Sequence, residues 1–142
     1  MNDSPPFSIL LVDDDDVAAE AVVRGLAKHA MHCPIAIAED GKAALQVLRG
    51  THPTSRIAKP YLVLLDLNMP RMNGFEFLRE LRMDAELHAT VVFVLTTSDS
   101  KAERAKAYQE NIAGYMVKSG VGHQVSGLAR FLTEYRATVL LP

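Results

Sequence analysis

The chain has 142 residues, 49% of them hydrophobic, with 15 basic against 17 acidic side chains and a formal net charge of −2. That is enough for one domain with a real core, and the charge balance gives no sign of a polyanionic partner such as nucleic acid. A single cysteine, Cys33, excludes an internal disulfide and fits a reducing compartment; no segment has the length of a membrane span and no basic-then-apolar signal pattern opens the chain, so a cytoplasmic location is expected.

Residues 1–6 form a polar, proline-containing lead, and 7–12 read as a buried strand that ends in Asp13, Asp14, Asp15 and Asp16. A helix is expected over 15–30, with acids in its first turn and a buried face of Val17, Ala21, Val22 and Leu26. A short strand near 34–38 precedes a helix over 40–48. The polar, partly basic connection 50–60 is read as mobile, since nothing catalytic stands in it. Residues 61–65 are fully apolar and deliver Asp66; the helix over 73–83 starts at Asn73 and turns Phe75, Leu78 and Leu81 inward. A β-branched run makes 90–95 a strand, followed by a weaker helix over 99–111 and a strand over 114–117. The last helix, 122–135, has Val125, Leu128, Phe131, Leu132 and Tyr135 as its apolar side. Five strands alternating with five helices predict an α/β fold with a doubly wound, five-stranded parallel sheet and right-handed crossovers.

In such a sheet ligands bind at the C-terminal edge of the strands. The first strand delivers Asp13 and Asp14 there, the third Asp66, the fourth Thr96 and Thr97, and the fifth Lys118. Clustered carboxylates repel one another unless a hard cation joins them, and Mg²⁺ is the usual one. The set suits phosphoryl transfer: Asp66 as nucleophile, the acid pair for the metal, Lys118 and a hydroxyl for the phosphoryl oxygens. Asp15 and Asp16 read instead as a helix cap. His29, His32 and Cys33 lie close together but read as a helix C-terminus rather than a metal site.

Neither a P-loop nor a Gly-x-Ser-x-Gly elbow occurs. A phosphatase of the haloacid dehalogenase type wants a second Asp two residues after the nucleophile, where Asn68 stands. A flavodoxin-type electron carrier would need a phosphate loop after the first strand, where four aspartates would repel it.

The ordered motifs Val12-Asp13-Asp14, Leu64-Leu65-Asp66-Leu67-Asn68-Met69-Pro70-x-Met72-Asn73-Gly74, Val94-Leu95-Thr96-Thr97-Ser98 and Gly114-Tyr115-Met116-Val117-Lys118 resemble the receiver domain of response regulators in two-component signalling. The resemblance implies a flavodoxin-like (β/α)5 domain over 7–137, followed by an apolar tail over 138–142. It makes Asp66 the phospho-acceptor and Asp13 and Asp14 the Mg²⁺ acids, with Asn68 offering its backbone carbonyl to the metal. Thr96 becomes the switch hydroxyl, Tyr115 the aromatic switch, Lys118 the phosphate contact and Thr97 the neighbour that controls access. The phosphoryl donor is then a histidine on a sensor kinase.

The family usually has proline after the lysine, often with a cis bond; Ser119 stands here, and a trans bond is expected because a non-proline cis bond costs roughly 3 kcal/mol. With the 50–60 connection and the tail, this departure resembles the small regulators paired with bacterial and cyanobacterial phytochrome kinases. With nothing after Pro142 to bind DNA or to catalyse, the expectation is a non-enzymatic, stand-alone receiver that acts through protein contacts, with a phosphorelay shuttle as runner-up. The apolar tail is expected to dock on a second subunit and fix a homodimer through the strand 4 to helix 5 side.

Overall fold

Strands this apolar need cover on both faces, and the chain provides it by alternating them with helices. The computed structural model describes residues 7–29, 32–67, 69, 72–97, 99–118 and 121–142, with backbone only for 121–126. The elements run β1 (Ser8–Val12), α1 (Asp16–Lys28), β2 (Ile35–Ala38), α2 (Gly41–Arg49), β3 (Tyr61–Leu65), α3 (Gly74–Met83), β4 (Val91–Thr96), α4 (Lys101–Gln109), β5 (Gly114–Val117) and α5 (Val121–Thr138). All five strands pair in parallel in the order β2-β1-β3-β4-β5. This is the flavodoxin-like order, whose switch point lies between β1 and β3.

Strand alternation divides the core in two. Leu10, Val12, Val63, Leu65, Val92 and Val94 meet α2, α3 and α4 on one face. Ile9, Leu11, Leu62, Leu64, Phe93 and Leu95 meet α1 and α5 on the other. Asp15 caps α1, its Oδ1 accepting the N–H groups of Val17 at 2.9 Å and Ala18 at 3.2 Å. The buried stripe of α1 is Ala19, Val22 and Leu26: Val22 and Leu26 are buried as expected, but Ala19 joins them in place of Val17, which is 77% exposed, and Ala21, which is only half-buried. The spacing i, i+3, i+7 from Ala19 describes one face, and Val17 lies on the far side of the first turn.

A capping box joins Asn73 and Glu76 at the start of α3. Its buried side chains are Phe77, Leu78 and Leu81. Phe75, expected inward, is half-buried: it packs against the core and also has the Lys106 ammonium of α4 4.2 Å from its ring centroid. The helix α5 continues to Thr138, whose hydroxyl donates to the Glu134 carbonyl, so the tail proper begins at Val139. Leu141 folds back onto the protein's own core, whereas Leu140 is 82% exposed. The 50–60 connection, expected to be mobile, is wound round His52, whose Nδ1 accepts from the N–H groups of Thr54 and Ser55 at 3.2 and 3.0 Å. Ile57 leans on the core, and the Pro60 carbonyl accepts the N–H of Ser8.

Arg82 binds three segments together. Its guanidinium donates to the carbonyls of Glu110 (2.7 Å) and Asn111 (3.0 Å) after α4, and to those of His88 and Thr90 (both 2.7 Å) before β4. Burial pulls its pKa down, and the nearby Glu110 opposes this. Arg82→Ala should cost about 2–3 kcal/mol in urea unfolding, and Arg82→Lys should recover only part of it, because an ammonium cannot span the same fork of carbonyls.

Candidate functional site

The site follows from strand register. Val12 stands opposite Leu65, so the next residues, Asp13 and Asp66, leave the sheet side by side. Each is fixed through its backbone: the Asp13 N–H donates to Ala38 O at 3.0 Å and the Asp66 N–H to Val12 O at 2.9 Å. Asp13, Asp14 and Asp66 bring carboxylate oxygens within 4.8 Å of one another. Asp13 is buried, Asp66 half-buried and Asp14 exposed.

Asp13 uses both oxygens. Oδ1 accepts the N–H of Asp15 at 2.9 Å, and Oδ2 accepts the Lys118 ammonium at 3.0 Å. The lysine is carried there by β5, whose end is tied to β4 by the Lys118 N–H donating to Thr96 O at 2.6 Å. Thr96 is the last residue of β4 rather than the first beyond it, and it is completely buried; Thr97 is exposed. Tyr115 pairs with Val94 in the sheet and is half-buried against the α2–α3–α4 core. Asn68 and the Lys118–Ser119 bond lie outside the described residues.

The loop between Asp66 and α3 folds tightly. An atom at a Cβ position on Gly74 would stand 2.5 Å from Leu67 Cα and 2.9 Å from the Asp66 carbonyl. Only glycine allows α3 to start so close to the acid-bearing strand end. The Gly74 N–H closes the loop on Leu67 O at 3.0 Å.

Three carboxylates against one ammonium leave a surplus of negative charge in a partly buried cluster. An all-oxygen donor set of this kind suits a hard divalent cation. Among the described residues, Asp13, Asp14 and Asp66 are the one group of three or more His, Cys, Asp or Glu side chains able to hold a metal ion. His29 instead ends α1, its N–H donating back to the Gly25 and Ala27 carbonyls. Burial pushes the Cys33 thiol up, against a smaller opposite pull from Arg136. The direct Lys118–Asp13 pair was not foreseeable, since the sequence shows which strand ends carry the two groups but not which acid the lysine reaches.

The sequence profile of the response regulator receiver domain matches residues 9–125. The chain is 32% identical over 143 aligned positions to the response regulator Rcp1 of Synechocystis, covering 98% of this chain and 95% of that protein. The Mn²⁺-bound crystal structure of Rcp1 superposes with a TM-score of 0.80 at 30% identity over 96% of this chain and 99% of that one. The phosphorylated cyanobacterial phytochrome response regulator RcpA superposes with a TM-score of 0.81 at 27% identity over 97% and 99%. A probable methanogenesis regulatory protein, FilR2 of Methanothrix harundinacea, is 37% identical over 113 residues, 80% of this chain and 72% of that one. These likenesses lend no support to a phosphorelay shuttle.

Removing the lysine would leave Asp13 buried with an uncompensated charge. Lys118→Met should therefore cost about 3 kcal/mol in urea unfolding with chelator present, and saturating Mg²⁺ should narrow the gap. Equal stability of the two proteins in chelator would show that the pair contributes nothing to the fold.

Proposed function

The chain belongs to the response regulator receiver family, and we propose that it is a cytoplasmic regulator that takes a phosphoryl group on Asp66 from the histidine of a sensor kinase, with Mg²⁺, and signals through protein contacts. The observation that carries this reading is the convergence of the Asp13, Asp14 and Asp66 oxygens within 4.8 Å, beside the ammonium that Lys118 presents to Asp13.

An Asp66 oxygen attacks phosphorus as the phosphorus–nitrogen bond of the donor breaks; the electron pair leaves on the imidazole nitrogen, which takes up a proton. Asp13, Asp14 and Asp66 would hold the metal, with the backbone carbonyl of Asn68 as a further ligand. Bound there, Mg²⁺ offsets the charge on the phosphoryl oxygens. Lys118, already at the site, transfers its hydrogen bonds from Asp13 to a phosphoryl oxygen. Thr96 supplies a hydroxyl to another oxygen. Thr96 is completely buried at the end of β4 before any phosphoryl group arrives. Thr97, exposed beside it, limits access to the acyl phosphate. Tyr115, half-buried between β4 and the surface, can then repack and alter the α4–β5–α5 face.

The likeness to Rcp1 and to RcpA supports a phytochrome-type sensor kinase as the donor. A homodimer through the β4–α5 side and the tail is supported by Phe131, 40% exposed, and by Leu140, 82% exposed.

Acetyl phosphate should add one phosphoryl group, read by intact mass, only when Mg²⁺ is present, and Asp66→Asn should abolish the adduct. Labelling of the Asn variant, or none of folded wild type, would refute Asp66 as acceptor. Truncation after Thr138, which keeps α5 whole, should turn a dimer into a monomer by light scattering; an unchanged mass removes the tail from the interface.

A further inference from the structure

We propose that Gly41, the first residue of α2, is a positioning residue for the phospho-acceptor: it holds the loop behind Asp66 in register with the acid on β1. The inference rests on the reading of Asp66 as acceptor.

Gly41 makes a contact that no other residue type could make. Its N–H donates to Met72 O at 3.0 Å, across from the β2–α2 corner to the β3–α3 loop. A Cβ at Gly41 would stand 2.7 Å from Met72 Cγ, 2.8 Å from Met72 O and 3.0 Å from Met72 Sδ. The side-chain atoms could give way, but the carbonyl oxygen is backbone and moves only with the loop. The φ angle of Gly41 lies outside the left-handed region, so the glycine is there for space and not for backbone conformation. Helix propensity argues the other way, since alanine is the better residue within a helix.

The corner that makes this contact also fixes the metal acid. Ala38 O accepts the N–H of Asp13 at 3.0 Å. Asp40, 4% exposed, caps α2 by accepting the Ala43 N–H at 2.8 Å. One rigid corner, residues 38–41, therefore grips the backbone of Asp13 on one side and the backbone of Met72 on the other. Gly74 closes the same loop on itself at Leu67. Gly74 sets the shape of the loop, and Gly41 sets where it stands relative to Asp13. A methyl group at position 41 would press on Met72 O, and the proposal is that this displacement reaches the spacing of the Asp66 and Asp13 carboxylates.

The test compares wild type with Gly41→Ala and Met72→Ala, using two readouts on folded protein. These are the rate of Asp66 labelling by acetyl phosphate and the affinity for Mn²⁺ followed by paramagnetic resonance. Gly41→Ala should keep its circular dichroism and lose about tenfold or more in labelling rate, as misplacement of a reacting group does, with Mn²⁺ binding weakened in parallel. Met72→Ala, which loses only the packing side chain, should show a smaller loss in both. Folded Gly41→Ala with wild-type rate and wild-type Mn²⁺ affinity overturns the inference. Should Gly41→Ala not fold, Met72→Ala decides: losses in both readouts support the inference and wild-type values overturn it. If wild type binds Mn²⁺ but takes no phosphoryl group, the functional reading fails and the inference is judged on Mn²⁺ affinity alone. Wild type that does neither overturns both.

Discussion

Mutual repulsion among three carboxylates is the constraint on which this structure turns. Asp13, Asp14 and Asp66 bring oxygens within 4.8 Å of one another, and Asp13 is only 2% exposed. Left alone, such a group would push the ends of β1 and β3 apart. The chain answers with Lys118 on one Asp13 oxygen and the N–H of Asp15 on the other. The lysine can reach only because β4 and β5 lie beyond β3 in the same sheet and their ends are tied at Thr96. The acid cluster thus needs all five strands in register, and the apolar strand interiors supply the burial that keeps them there. A divalent cation bound there would complete the same compensation from outside.

Element type and order could be read from the sequence because each strand is a short apolar run and the first four helices have a polar start signal. Asp15, Asp40, Asn73 and Ser100 all cap the helices that follow them. Strand-end acids were legible for the same reason: a charge directly after an apolar run marks a strand end. The rotation of individual helices was less legible. Val17 fits an apolar stripe by spacing, yet Ala19 marks the true face of α1, because the sheet decides which side turns inward. Phe77 escaped notice beside Phe75 for a similar reason. Contacts carried by backbone groups were invisible. Nothing in the sequence around Arg82 signals four carbonyl acceptors, and nothing around His52 signals a loop wound about its ring nitrogen.

Helix anchoring differs along the chain in a way that bears on signalling. α2 buries Gly41, Ala44, Leu45 and Val47, and α3 buries Gly74, Phe77, Leu78 and Leu81. α4 buries Ala107 alone. Its remaining ties lie at its ends and on its flank: the Ser100 cap, the Lys106 ammonium over Phe75, and the Arg82 clamp on the turn that follows. An element held by few apolar contacts opens or shifts at low free-energy cost. α2 and α3, each well anchored, pack beside the loop that carries Asp66, where the proposed chemistry would require rigidity. The weakly anchored one borders β5 and Tyr115, where a change of contacts would have to be read.

That division gives the Lys106–Phe75 contact a meaning beyond packing. Phe75 is the second residue of α3, directly after Gly74 and the tight loop that begins at Asp66. A cation over an aromatic ring tolerates sliding better than an interlocked core does, because it depends on distance to the ring rather than on a single interdigitated fit. Through it, α4 touches the N-terminal turn of the helix that closes the acid-bearing loop, without being locked to it. On the proposed reading, a charge added at Asp66 would act on the loop through the backbone and, through its field, on the Lys118 ammonium that binds Asp13. Closely packed beside the acids and sparsely anchored at α4, the fold has the two properties that this reading asks of it, and both follow from where the chain places glycine, alanine and the larger apolar side chains.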